Sequence, residues 1–63
     1  MTDIQRNILA VLNGDSQHMS AAEVAVRLGE SPREIQDALH EMDELDLVSM
    51  RNGLYRPYGK GRL

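Results

Sequence analysis

Apolar residues recur at helical spacing through most of the chain and switch to alternation near its end. Ile4, Ile8, Leu9 and Leu12 share one face of a first helix, about Asp3 to Asn13. Thr2-Asp3-Ile4-Gln5 fits a capping box ahead of it, a hydroxyl at the N-cap and Gln three positions on. Gly14 suits the left-handed position just past its end. Asp15-Ser16-Gln17-His18 is polar and reads as loop. Ser20-Ala21-Ala22-Glu23 is a second capping box, opening a short helix from Ala21 to Leu28 that buries Val24, Ala25 and Leu28 and closes at Gly29. Ser31-Pro32-Arg33-Glu34 is a third, with Pro at the first helical position, where its missing N–H costs nothing. The third helix runs from Pro32 to about Leu45, with Ile35, Ala38, Leu39, Met42 and Leu45 as its apolar stripe. Only Gly29 and Glu30 separate the second helix from the cap of the third, the length of a tight helix–turn–helix connection.

Beyond Asp46 the period becomes two. Leu47-Val48-Ser49-Met50-Arg51 and Leu54-Tyr55-Arg56 flank Asn52-Gly53, a strong hairpin signal. A two-residue turn sets Arg51 against Leu54, Met50 against Tyr55 and Ser49 against Arg56. Val48, Met50 and Tyr55 then share a face expected to meet the core, and Ser49, Arg51, Leu54 and Arg56 share the outer one. Pro57 ends the strand or marks it as an edge. The expected architecture is mainly α with a small β-hairpin: a three-helix bundle plus a wing. At 63 residues it is one domain, residues 1–57, followed by a flexible basic tail, residues 58–63.

Composition narrows the chemistry. There is no Cys, hence no disulfide, thiolate metal site or cysteine nucleophile. His18 and His40 stand apart, without the ligand spacing of a metal site. Ser16, Ser20, Ser31 and Ser49 lack a base and an orienting group. Met19, Met42 and Met50 fall at positions expected to be core. We expect no catalysis, no cofactor and no metal. No apolar run approaches the roughly 18 residues of a membrane span, and the start, Met1-Thr2-Asp3-Ile4, does not read as a signal peptide. The expected compartment is the cytoplasm.

The sequence order, together with Met19-Ser20-Ala21-Ala22-Glu23-Val24-Ala25, Leu28-Gly29-Glu30-Ser31, Ile35, Ala38-Leu39, Met42, Leu45-Asp46-Leu47-Val48 and Gly53-Leu54-Tyr55-Arg56, resembles the winged helix-turn-helix regulators of bacteria and archaea. The likeness covers roughly residues 4 to 57. It implies a third helix in the DNA major groove and a wing on the backbone, often in a dimer. Some members of the superfamily serve instead as protein-interaction modules. The family usually carries Gly where Asp46 stands, because the chain there passes through a left-handed conformation, which Asp tolerates better than most residues.

Charge then assigns candidates. Net charge is −3, but it is divided: residues 1–48 sum to −7 and residues 49–63 to +4. Outward on the third helix stand Arg33, Gln36, Asp37 and His40. Arg33 suits guanine and Gln36 adenine, so Arg33, Gln36 and His40 are the candidate base contacts. Asp37 can buttress Arg33 or accept from a cytosine amine. Arg51, Arg56, Lys60 and Arg62 are the candidate backbone contacts to double-stranded DNA, or, for the hairpin pair, guards against edge-to-edge aggregation. Arg6, Asn7 and Val11 on the first helix are the expected homodimer surface. Against these, Glu34, Asp37, Glu41, Asp43 and Glu44 give the third helix five acids to one Arg. They are either a solvated face or, through Glu41, Asp43 and Glu44, a surface for a basic protein partner.

Overall fold

The computed structural model describes residues 1–14 and 18–57. Three helices, α1 (Asp3–Gly14), α2 (Ala21–Leu28) and α3 (Pro32–Glu44), precede an antiparallel hairpin of β1 (Val48–Arg51) and β2 (Leu54–Pro57). This is the expected three-helix bundle with a hairpin. The expected basic tail lies outside the described residues.

The helix starts follow their caps unevenly. At α1 the box is reciprocal: Gln5 N–H donates to Thr2 Oγ1 (3.2 Å), and Thr2 N–H donates to Gln5 Oε1 (3.0 Å). At α2 the Glu23 amide donates to Ser20 Oγ (3.2 Å). At α3 Ser31 has the extended backbone of a cap but makes no side-chain cap bond. That first turn is exposed, so its amides meet solvent instead of needing the hydroxyl.

Two helix ends set the path of the chain. Gly29 sits at φ 66° after α2, with Gly29 N–H donating to Val26 O and Glu30 N–H to Ala25 O. That pair of bonds satisfies carbonyls the helix end would otherwise leave open. Asp46 sits at φ 62° after α3, and the same pattern returns: Asp46 N–H to Asp43 O (3.1 Å) and Leu47 N–H to Met42 O (2.8 Å). Gly14, expected to close α1 in a left-handed conformation, is instead its last helical residue and is not among the positive-φ glycines. Leu45, expected in the buried stripe, is 59% exposed. The helix ends at Glu44, and the turn through Asp46 brings Leu47 back to pack on the core in its place.

The core is Ile8, Leu12, Met19, Val24, Ala25, Ile35, Ala38, Leu39, Met42 and Val48. Ile4, Leu9, Val11, Leu28 and Leu47 pack half-buried around it, as does Tyr55, the only aromatic among the described residues. The hairpin has the expected register, Ser49 opposite Arg56, Met50 opposite Tyr55, Arg51 opposite Leu54, and Val48 opposite Pro57. Asn52 and Gly53 both take positive φ (56° and 79°), matching the strand twist. Met50 does not reach the core: it is 50% exposed. Burial on that face fades from the hairpin base, where Val48 is sealed, toward the tip.

Beyond the hairpin, Tyr55 N–H donates to Met19 O (2.6 Å) and Met19 N–H to Tyr55 O (3.1 Å). β2 therefore lies between β1 and the residue that leads into α2. Pro57, two residues from Tyr55, turns its donor-less nitrogen away from β1 and breaks no bond of the ladder.

Replacing Asp46 with Gly should remove the strain of a side chain at φ 62° and stabilise the domain by about 1 kcal/mol, about 4–8 °C in Tm. Leu39→Ala, at a fully buried position, should destabilise by about 2–5 kcal/mol. Thermal denaturation followed by circular dichroism reads both.

Candidate nucleic-acid interface

The phase of α3 is fixed by burial of Ile35, Ala38, Leu39 and Met42. Helical geometry then places Arg33, Gln36, Asp37 and His40, spaced i, i+3, i+4 and i+7, on the far side. All four are exposed. Among the described residues Arg33 forms no ion pair, with Asp37 or with any other acid. The expected buttress is therefore absent and the guanidinium is uncommitted. Further along the stripe His40 Nε2 lies 3.5 Å from Glu44 Oε2, both side chains largely solvated. The stripe is thus cationic and neutral at its N-terminal end and acidic at its C-terminal end. Because Ser31 does not cap, the amides of Arg33 and Glu34 at the positive end of the helix dipole have no side-chain acceptor there.

The hairpin's outer face carries Ser49, Arg51, Leu54 and Arg56. Arg51 and Arg56 are exposed. Arg56 Nε donates to Ser49 Oγ (3.4 Å) across the ladder, which holds its guanidinium over the sheet, while Arg51 at the tip has no ion-pair partner among the described residues. Lys60 and Arg62 lie outside the described residues.

The acids of α3 are not equivalent. Gln5 is 4% exposed, and its Nε2 donates to Glu41 Oε1 (3.4 Å), tying the start of α1 to α3. The capping box accounts for Gln5 at the helix start but not for its burial. Its spacing to Ile8 and Leu12, i, i+3 and i+7, already placed it on the buried face. Asp43 and Glu44 remain exposed. On α1, Arg6 pairs with Asp3, Asn7 is exposed, and Val11 is half-buried against its own core rather than standing free.

Among the described residues no three His, Asp or Glu side chains are grouped to hold a metal ion. Nor is any helix among them long and apolar enough to cross a membrane.

Gln5→Ala should destabilise the domain by about 1–2 kcal/mol, since it removes the cap partner of Thr2 and the bond to Glu41 together. A double-mutant cycle with Glu41→Ala, read by chemical denaturation, should give a coupling of at least about 0.5 kcal/mol. Against this geometry, no protein-family model, curated protein or solved structure matches the chain.

Proposed function

We propose that this chain is a small DNA-binding regulator of the winged helix-turn-helix type, working in the cytoplasm. The observation that carries the reading is the outward stripe of α3, where Arg33, Gln36 and His40 are exposed and Arg33 forms no ion pair among the described residues. In this reading the N-terminal half of α3 enters the major groove. Arg33 meets the O6/N7 edge of guanine, Gln36 the N6/N7 edge of adenine, and His40 a neighbouring base. The amides at the uncapped start of α3 and the guanidinium groups of Arg51 and Arg56 take phosphate oxygens, helped by Lys60 and Arg62.

The acids set the docking angle. Glu41 is turned toward Gln5 of α1, and Asp43 and Glu44 lie at the far end of the helix, so a helix entering by its N-terminus keeps them away from the backbone. Asp37 sits within the stripe and acts by selection: it accepts from cytosine N4 and repels a phosphate placed wrongly. The rival reading, a module whose Glu41, Asp43 and Glu44 meet a basic protein, is supported by the five exposed acids of α3 and loses one of its three residues to the Gln5 bond.

Fluorescence anisotropy against a library of labelled duplexes at low salt tests this. Binding is expected, with affinity falling linearly in log[salt]. Arg51→Ala should weaken all sequences alike and reduce the salt slope by about 1. Arg33→Ala should cost about 1–3 kcal/mol on the preferred sequence and much less on others. Absence of binding to any duplex at low salt overturns the proposal.

A further inference from the structure

We propose that the outer face of the hairpin docks on the C-terminal end of α3 in a second copy of this chain. Leu54 meets Leu45 there, and the guanidinium groups of Arg51 and Arg56 meet the carboxylates of Glu41 and Glu44. This goes beyond the DNA reading and stands without it, although both use Arg51 and Arg56.

Two exposed leucines sit in patches of opposite charge. Leu54 is 37% exposed and is not among the side chains packed on the core. Arg51 stands directly across the ladder from it, and Arg56 follows two residues along β2 on the same face. Neither strand holds an acid. Leu45 is 59% exposed and also lies outside the core. Its N–H still donates to Glu41 O (3.0 Å), so it keeps the helical phase, one turn beyond Glu41. Glu41 in turn neighbours Glu44, three residues on. Both acids are exposed. Gln5 engages one oxygen of Glu41, Oε1, and His40 lies beside Glu44. No Lys or Arg occurs between His40 and Arg51 in the chain. Acids at the end of a helix stand against its dipole, and a guanidinium brought beside them relieves that.

The patches match in scale as well as in sign. Arg51 and Arg56 are diagonal neighbours on the sheet, about 7–8 Å apart. Glu41 and Glu44, one helical turn apart, are separated by about 5–6 Å. Long arginine stems span that difference, so each guanidinium faces a carboxylate while the leucines touch. The occupant is a second copy because the same chain carries the complementary patch. Like-face contacts are disfavoured: hairpin on hairpin opposes arginines, and α3 on α3 opposes acids. The first helix offers less, since Val11 is spent on its own core and Arg6 on Asp3. The contact joins unlike faces, so each copy uses its hairpin on one neighbour and offers its α3 end to another. One leucine pair rimmed by charges makes a small contact, weak and sensitive to salt.

Sedimentation without any nucleic acid tests this apart from DNA binding. At low salt, in a series reaching about 1 mM, the scale of weak contacts, the weight-average mass should rise with concentration. It should fall back toward the monomer at about 0.5 M salt. Arg51→Glu, Leu54→Ser and Glu44→Lys should each weaken association at least about tenfold. All three positions are exposed, so helical circular dichroism should be retained. The Arg51→Glu chain keeps an intact α3 end, and the Glu44→Lys chain keeps an intact hairpin. Mixed in equal amounts, they should associate at least about tenfold more strongly than either does alone. A chain that stays monomeric throughout the series, association lost with Arg51→Glu but kept with Glu44→Lys, or a mixture no stronger than its components overturns the proposal.

Discussion

The rotational setting of α3 governs this molecule. Four side chains on one face of that helix, Ile35, Ala38, Leu39 and Met42, account for much of a core in which, among the described residues, no aromatic ring is fully buried. In so small a domain apolar burial only narrowly exceeds the entropy of ordering. Turning the helix would cost that burial, so its outward stripe is held as firmly as its inward one. The presentation of Arg33, Gln36 and His40 is a by-product of what had to be hidden. The end of the helix belongs to the same constraint. The left-handed turn at Asp46 lets Leu47 return to the core and starts β1 from a defined point.

An acidic chain is an unusual vehicle for a proposed DNA reader, and the distribution of its charge matters more than the sum. All ten acids precede Ser49, and the last fifteen residues carry four cations and no acid. Among the described residues the hairpin strands carry Arg51 and Arg56 and no acid, whereas α3 carries five acids and one Arg. Within α3 the order along the chain is the reverse, from Arg33 at the start to Asp43 and Glu44 at the end.

Much of the architecture could be read from residue order. Helical spacing, the first two capping boxes, Asn52-Gly53 and the αL turn at Asp46 each have a local cause, and each appears in the structure at or within a residue of its expected place. The failures share another cause. Met50 satisfied the two-residue period of a core face, but periodicity states which face a residue is on, not how far the core extends beneath it. Leu45 matched the helical period one residue beyond the point where the helix stopped. Val11, expected on an exposed homodimer surface, is half-buried against its own core, because half-buried positions flank every stripe in a bundle this small. Ser31 had the sequence of a cap without the burial that makes a cap worthwhile. Two features joined parts of the chain more than thirty residues apart: the bond from Gln5 to Glu41 and the bridge from Met19 to Tyr55. Local pattern carries no information about such pairs. Of the proposed interface, the identity and exposure of Arg33, Gln36, His40, Arg51 and Arg56 were legible, whereas the freedom of Arg33 and the hold of Ser49 on Arg56 required coordinates.

The bridge between Met19 and Tyr55 has a mechanical meaning. A hairpin on a small domain is commonly an appendage, free to swing about its base. Here its second strand is fastened on both sides, and the outer fastening is the residue just before the cap of α2. Displacement of the hairpin tip must therefore pull on the entry to α2, and through α2 on the helix packed against it. The two backbone bonds of that bridge thus join the hairpin to the start of α2, so the hairpin is anchored at a second point besides its base.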